Sequence, residues 1–211
     1  MTPRLSILIC SIVSRRELLG RLLSRLAPQL TLEVEIVIEE DGGESTIGAK
    51  RERLIRRANG DYLAAIDDDD LPSIDYCPRI LSALDTNPDC VGFRSTRYED
   101  GKVIGDCSYS IRNKDVEDEW DGAEGIRHFK RTPNHLTPIR REFVLKTGFE
   151  PWCYGEDRDF ERRVFPLLKT EVFIDANLYD YLLVSRAMRG KETCHPDRWK
   201  LGRQRRTLAR A

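Results

Sequence analysis

The sequence predicts an α/β fold in which helices flank a mixed, mainly parallel central sheet. Three observations support this class: a continuous apolar run near the start, a strand–helix–strand–helix–strand order with short connections, and acidic clusters after two of the strands. Continuous apolar runs are typical of strands buried on both faces, and the alternation of strands with helices is typical of a doubly wound sheet.

Apolar periodicity places five elements in the first third of the chain. Continuous apolar runs are predicted strands, and segments with apolar residues at helical spacing are predicted helices. In chain order, the predictions are a strand over 5–13, a helix within 15–30, a strand over 32–43, a helix over 48–61 and a strand over 62–66.

The second half is less regular. Its pattern predicts helices, a hairpin around Asp100-Gly101, a polar loop and one or two closing strands. The helices are expected over 75–84, 141–148 and 156–168, the hairpin over 90–111, the loop over 116–125 and the strands over 171–184.

Length and charge suggest one domain followed by a tail. A chain of 211 residues is long enough to bury its own core, so we predict a domain over 1–185 and a basic tail over 186–211. The tail carries a net charge of +7 and the rest of the chain −8. Such a tail is typical of a contact with phosphates, nucleic acid or anionic lipid, and the alternative is a solvated terminal helix.

Composition and missing motifs exclude several classes. Apolar residues make up 40% of the chain and charged residues 34%, which is typical of a soluble globular protein. The apolar run near the start falls far short of the ~20 residues that span a bilayer, so we expect a cytoplasmic protein without a transmembrane segment. The six cysteines form no C-x-x-C pair, and the sequence contains neither a P-loop nor a dinucleotide-binding glycine motif.

Acidic residues end two of the predicted parallel strands. Glu39–Asp41 close the second strand, and Asp67–Asp70 follow the third. Ligands of doubly wound sheets bind beyond the carboxyl ends of the strands. Carboxylates there are suitable ligands for Mg²⁺ or Mn²⁺, and substrate phosphates complete the coordination of the ion. The alternative for Asp67–Asp70 is a cap on the next helix, for which one aspartate would suffice.

Taken together, these segments resemble the GT-A nucleotide-sugar glycosyltransferases, and most closely glycosyltransferase family 2. The resemblance covers about residues 4–170 and implies a GT-A fold. Four segments carry the resemblance. The first strand is LSILICSIVSR, and the second strand, which ends in acids and glycines, is IVIEEDGG. A basic helix and a strand that ends in a D-x-D motif form IGAKRERLIRRANGDYLAAIDDDD, and the E-D motif is YGEDRDFERRV.

The resemblance implies donor-binding roles near the first two strands. Glu40 and Asp41 match the acids near the donor base, with Asp41 as the expected contact to uracil or another base. Lys50 and Arg51 match basic helix positions near the donor nucleotide.

The resemblance also implies a metal site. Asp67 and Asp69 match the two acids of the D-x-D motif, so Asp69 is expected to bind Mn²⁺ or Mg²⁺ and Asp67 to bind the ribose or the metal. Asp68 between them is included among the donor-binding residues. His195 matches a histidine that completes metal coordination in many GT-A enzymes.

Catalytic and acceptor-side residues are expected in the second half. Asp157, preceded by Glu156, matches the catalytic base of the family, and Asp159 is its rival two residues on. The acceptor side is expected to include three further residues, Asn134, His135 and Trp152.

The resulting prediction is a metal-dependent inverting glycosyltransferase. It would move a sugar from a nucleoside-diphosphate sugar, with UDP expected, to a hydroxyl of a glycan, a lipid-linked sugar or another acceptor. A divalent ion neutralises the leaving diphosphate, and a carboxylate takes the acceptor proton. Three alternatives stay open: a virus-encoded DNA glycosyltransferase acting on hydroxymethylated bases, a nucleotidyltransferase, and a non-catalytic carbohydrate- or nucleic-acid-binding module.

Overall fold

The fold is a mixed sheet with helices on both faces. The computed structural model describes residues 2–113, 117–121 and 126–183, so the predicted tail over 186–211 and His195 lie outside the described residues. The described strands are β1 (Leu5–Ile12), β2 (Val34–Asp41), β3 (Tyr62–Ala65), β4 (Leu71–Pro72), β5 (Cys90–Glu99), β6 (Lys102–Tyr109), β7 (Glu117–Asp121), β8 (Ile126–Arg131), β9 (Ile139–Arg140) and β10 (Glu171–Leu183). The described α-helices are α1 (Arg16–Leu26), α2 (Ile47–Arg57), α3 (Tyr76–Ala83), α4 (Arg141–Thr147) and α5 (Glu156–Val164).

The order of strands across the sheet is β2-β1-β3-β9-β5-β6-β8-β7, and β10 pairs with β5 and with β4. Strand β1 is parallel to both of its neighbours, with Leu5 opposite Val34 on one side and Tyr62 on the other. The carboxyl ends of β1, β2 and β3 therefore meet at one edge of the sheet, where a doubly wound fold binds its ligands.

Successive side chains of the central strands point to opposite faces of the sheet, so the core forms two clusters, one on each face. On β1, Leu5, Ile7 and Ile9 pack in a cluster that includes Leu22 of α1 and Ile80 of α3. Leu8 lies in a second cluster, against which Cys10 packs, and this cluster contains residues of α2, α4 and α5. Because helices cover both faces of the central strands, side chains on both faces are buried, and the sequences of these strands are continuous apolar runs.

The start of α2 packs unusually close to a later loop. A Cβ atom added at Gly48 would lie 1.9 Å from the carbonyl oxygen of Glu150, and the Gly48 amide donates a hydrogen bond to the Trp152 carbonyl at 3.1 Å. A side chain at position 48 would push this loop away. Glycine therefore allows the segment that leads into α5 to dock on α2.

The predicted α/β class with flanking helices is confirmed, and the predicted elements differ from the structure in detail. Residues 117–121 were expected in a polar loop but form β7, which pairs antiparallel with β8. Three strands went unpredicted, namely β4, β8 and β9. Strand β10 is one long element with irregular pairing between Ile174 and Tyr179. Edge and two-residue strands depend on partners distant in sequence, so local patterns signal them weakly.

Two absences apply to the described part of the chain. No helix there is long and apolar enough to cross a membrane. No disulfide joins the five cysteines that the structure describes.

Candidate active site

Asp41, at the end of β2, is held by three donors. Its carboxylate accepts backbone hydrogen bonds from Gly43 and Ser45, each at 2.9 Å, and forms an ion pair with Lys50. Partial burial acts to raise the pKa of Asp41, but the hydrogen bonds from Lys50, Ser45 and Gly43 lower it to about 2. The neighbouring Glu40 faces outward and pairs with Arg16 at 2.9 Å.

Lys50 is buried between the ends of β1 and β2. Its Nζ donates to the carbonyl oxygen of Ser11 at 2.6 Å and contacts Asp41. A buried ammonium group is stable only when its donors are satisfied. The expected direct contact of Lys50 with the donor nucleotide stays a prediction, whereas its contacts here position Asp41.

The four aspartates after β3 alternate between two environments. Asp68 and Asp70 are 2% exposed, whereas the side chains of Asp67 and Asp69 are 28% and 44% exposed. The helix that follows begins at Tyr76 with Asp75 in the capping position, so the run does not cap that helix. Asp68 and Asp70 therefore anchor the turn, whereas Asp67 and Asp69 stay partly exposed.

The anchoring aspartates attach the turn to different strands. Asp68 accepts a hydrogen bond from Ser11 Oγ at 2.7 Å and pairs with Arg15 at 2.9 Å, and burial raises its pKa to about 6. Asp70 accepts from Tyr179 Oη and from the Leu182 amide, both at 2.7 Å. Burial and the charge of Asp67 raise the pKa of Asp70 to about 8. The carboxylate of Asp68 is engaged within the protein, and its expected contact with the donor stays a prediction.

Asp69 offers the most accessible carboxylate of the run. It pairs with Arg15 at 2.5 Å, and its carbonyl oxygen accepts from Arg21 at 2.7 Å. Within the described residues, no three His, Cys, Asp or Glu side chains form a group that holds a metal ion alone. A single exposed carboxylate fits Mg²⁺ or Mn²⁺ when substrate phosphates supply further oxygens, because Mg²⁺ is usually bound by one or two carboxylates.

Arg51 is the buried centre of the site. Its guanidinium, on a residue 4% exposed, donates to Asp67 at 2.9 Å and to Glu156 at 2.7 Å. Burial opposes its charge, but the two carboxylates raise the pKa of Arg51. Burial also acts to raise the pKa of Asp67, and Arg51 holds it well below its usual range. Arg51 therefore joins the end of β3 to the start of α5.

The start of α5 separates three neighbouring acids. Gly155 precedes the helix with φ of 81°, a conformation that favours glycine. Glu156 turns inward to Arg51, and burial raises its pKa despite that partner. Asp157 lines an open cleft, whereas Asp159 is held by Arg163 at 2.6 Å. Asp157 thus borders the open cleft and Asp159 is engaged along its own helix, and the assignment of Asp157 as the base stays a prediction.

The cleft in front of these acids has a volume of about 540 Å³. It extends from Asp67 and Arg51 to aromatic and basic residues of the far strands. Its lining includes Arg97, Tyr109, Arg131, His135, Tyr154 and Tyr181. A cleft of this size lies within the usual range for a small-molecule site.

The predicted acceptor-side residues differ in position. His135 is buried beside the cleft with Nε2 3.8 Å from Asp67 Oδ2, and neither ring nitrogen has a hydrogen-bond partner. Asn134 also lines the cleft, but its Oδ1 accepts from the Leu136 amide at 3.0 Å and so shapes the turn. Trp152 lies against the start of α2 and is not part of the cleft lining.

Sequence reasoning missed several residues of the site. Ser11 and Arg15 hold Asp68, and Tyr179 holds Asp70. Ser11 and Arg15 lie within the first-strand motif but were given no role there, and Tyr179 belongs to no motif used in the prediction. Arg97 did leave a signal, because it occupies an inward position of a strand whose other inward residues, such as Phe93, are buried.

Comparisons with known proteins agree with this description. Residues 35–137 match the model of the family described as Glycosyl transferase family 2. The crystal structure of S. aureus TarS superposes with a TM-score of 0.62 at 12% identity, over 85% of this chain and 37% of that one. No curated protein sequence matches.

Two further solved structures carry ligands. S. aureus TarS 1–349 in complex with UDP-GlcNAc superposes with a TM-score of 0.62 at 11% identity, over 89% of this chain and 60% of that one. The complex of TarS 1–349 with UDP gives 0.62 at 13% identity, over 85% and 60%. This chain thus spans less than two thirds of the length of those solved chains.

The fold and the match define a class: the chain has the GT-A fold of nucleotide-sugar glycosyltransferases. More narrowly, residues 35–137 match the Glycosyl transferase family 2 model, and the resemblance predicted from the motifs is confirmed.

Proposed function

We propose that the chain transfers a sugar from a UDP-sugar to an acceptor hydroxyl, with a divalent metal and with inversion at the anomeric carbon. One observation carries the proposal: Arg51 bonds both Asp67, after the third strand, and Glu156, which precedes Asp157. A single buried cation thereby links Asp67, a predicted donor acid, to the residue that precedes the predicted base. The UDP and UDP-GlcNAc complexes of the structural neighbour support UDP as the donor nucleotide.

The donor half of the proposal uses the ends of β2 and β3. Asp41, ionised because its pKa is lowered, accepts a hydrogen bond from the base, and Asp67 accepts from the ribose. Asp69 would hold Mg²⁺ or Mn²⁺, which when bound neutralises charge on the leaving diphosphate. Arg15, paired with both Asp68 and Asp69, keeps the turn in place.

The acceptor half uses Asp157. The acceptor oxygen forms a bond to the anomeric carbon while the bond from that carbon to the diphosphate oxygen breaks, and the electron pair leaves with the diphosphate. Asp157 takes the hydroxyl proton as the new bond forms, since a hydroxyl is a weak nucleophile without a base. Attack opposite the leaving group inverts the anomeric centre. Glu156 acts through Arg51 as a positioning residue.

The acceptor, the role of His135, the location of the protein and the role of the tail are also proposals. The acceptor is a hydroxyl on a glycan or lipid-linked sugar, and a DNA acceptor stays an alternative. His135, buried beside Asp67, is proposed to contact the acceptor or the diphosphate. The cytoplasmic location and the polyanion contact of the tail also stay predictions.

A binding and turnover assay tests the proposal. The melting temperature of the full chain is measured with UDP, UDP-sugars and other nucleotide sugars, with and without Mn²⁺, because a ligand of the folded state raises it. We expect a shift with UDP compounds that needs Mn²⁺, and release of UDP when an acceptor is added. Asp69→Asn should weaken UDP binding about tenfold or more, and the exposed Asp85→Asn should not.

Two results would count against the proposal. If no UDP compound shifts the melting temperature under any metal condition, the donor assignment is wrong. If UDP binds but no donor is ever hydrolysed or transferred, the chain is a binding module.

A further inference from the structure

Arg97 enters the cleft from the inward face of β5. Phe93 and Ser95 precede it on the same face and are buried, so the position continues a core-facing row. The guanidinium carbon of Arg97 lies 4.6 Å from the ring centroid of Phe129 and 4.6 Å from that of Tyr181. Two aromatic rings therefore fix the group in a defined place on the wall of the cleft.

The charge of Arg97 has no carboxylate partner among the residues that the structure describes. Its Nε atom is buried without a hydrogen bond. Arg51, in the same cleft, has two carboxylate partners. A half-buried guanidinium held by rings alone keeps its capacity to bind an anion, and losing water without a new partner is costly.

A second guanidinium lies on the same ring. Arg131 also lines the cleft, with its guanidinium carbon 5.1 Å from the Phe129 centroid. An oxyanion beside Arg97 would accept charge-assisted hydrogen bonds, for which the guanidinium fork is well shaped.

The position of this pair separates it from the donor base. Asp41 ends β2, and β1, β3 and β9 lie between that strand and β5 in the sheet. The cleft is lined by Arg97 and Asp157 but not by Asp41 or Lys50. An anion at Arg97 therefore lies in the same cleft as the proposed base and away from the end of β2.

We propose that Arg97, together with Arg131, binds a phosphate or carboxylate group carried by the acceptor. This inference rests on the proposed function and adds the substrate class: the acceptor is an anionic hydroxyl compound rather than a neutral sugar. The oxyanion fixes the acceptor so that its hydroxyl approaches Asp157.

Calorimetric titration of the full chain saturated with UDP and Mg²⁺ tests the inference. The probes are methyl phosphate for the phosphate source, glucuronate for the carboxylate source and glucose as the neutral control. We expect one of the two anions to bind and glucose not to bind. Arg97→Gln should weaken anion binding about tenfold while leaving the Kd for UDP within about twofold.

Two further variants sharpen the test. Arg94→Gln is the matched control, since Arg94 lies on the same strand, is exposed and pairs with Asp175. It should change neither affinity. Arg97→Lys keeps the positive charge and should retain part of the anion affinity. Retained UDP binding reports that each variant is folded.

Three outcomes would overturn the inference. If neither anion binds the UDP complex, or if Arg97→Gln leaves anion binding unchanged, the site is not an oxyanion site. If Arg97→Gln weakens UDP as much as the anion, Arg97 serves the donor diphosphate, and the proposed function stands. If UDP itself does not bind the unaltered chain, the proposed function fails and this inference falls with it.

Discussion

At the residue scale, Asp157 and Asp159 show how two similar carboxylates acquire different surroundings. They are two positions apart on one helix, yet Asp157 faces the cleft and Asp159 pairs with Arg163. A base must reach the acceptor proton, and a carboxylate engaged along its own helix is less available for that task.

We therefore predict that Asp157→Asn lowers the rate of sugar transfer by about 10²-fold or more, because general-base catalysis contributes that much. UDP affinity should be unchanged, since the side chain acts on the acceptor. Asp159→Asn is the control and should keep transfer within about threefold. The rate of UDP release with acceptor present measures both, and equal losses in the two variants would contradict the assignment.

Arg51 illustrates the cost of a buried charge network. Removing one partner of a buried ion pair costs about 3–5 kcal/mol, because the other charge stays buried without compensation. We predict that Arg51→Met lowers the free energy of unfolding by that amount in urea titrations. The double variant Arg51→Met/Glu156→Gln should recover part of the loss.

Arg53→Met is the matched control for that prediction. Arg53 lies on the same helix but pairs with Glu39 at the surface, where an ion pair contributes about 1 kcal/mol or less. If Arg51→Met were as mild as Arg53→Met, Arg51 would not be the centre of the site.

The lowered pKa of Asp41 predicts how the stability of the fold depends on pH. Its folded-state pKa of about 2 lies below the ordinary value of 3.8, so the ionised group stabilises the fold above that ordinary value. This contribution is lost as the pH falls from about 4 toward 2. The difference in unfolding free energy between the unaltered chain and Asp41→Asn should therefore shrink over this range in urea titrations at successive pH values. A constant difference down to pH 2 would show that the carboxylate is not held as described.

At the scale of elements, helix α2 organises the site because adjacent residues point to different strands. Lys50 reaches the ends of β1 and β2, and Arg51 reaches the turn after β3 and the start of α5. Gly48, one turn earlier, brings the segment before α5 against the same helix. One helix thus sets the positions of both proposed halves of the site.

A pair of glycine substitutions tests this role. Gly48→Ala should destabilise the fold, because the added Cβ would lie 1.9 Å from the Glu150 carbonyl oxygen. Gly20→Ala, in the middle of α1 with no atom within 4 Å of the added Cβ, should raise the free energy of unfolding by about 0.5–1 kcal/mol. Chemical denaturation of both variants measures the contrast. If Gly48→Ala were neutral, the close packing of α2 on the loop would be wrong.

At the scale of the whole molecule, the central parallel strands, their helices and the hairpin of β5 and β6 were predictable, and the short and edge strands were not. Continuous apolar runs and leucine periodicity identify β1, β2, β3 and the helices between them, because those elements are specified by their own burial. Strands β7, β8 and β9 carry weak local patterns, and pairing across the sheet specifies them.

The candidate site divides in the same way. Motif positions such as Asp41, Asp69 and Asp157 could be named from the sequence, since strand ends and helix starts are visible there. The residues that hold the aspartate turn in place could not be named from the sequence. Ser11 and Tyr179 reach the aspartate turn only through the fold, across 57 and 109 positions of sequence.

The most direct measurement of the central claim is a crystal structure of the chain with UDP and Mn²⁺. The account predicts uracil beside Asp41, the metal and diphosphate at Asp69, and the open end of the nucleotide pointing into the cleft lined by Asp157. UDP bound elsewhere, or bound with Asp69 still paired to Arg15 and away from the metal, would contradict it.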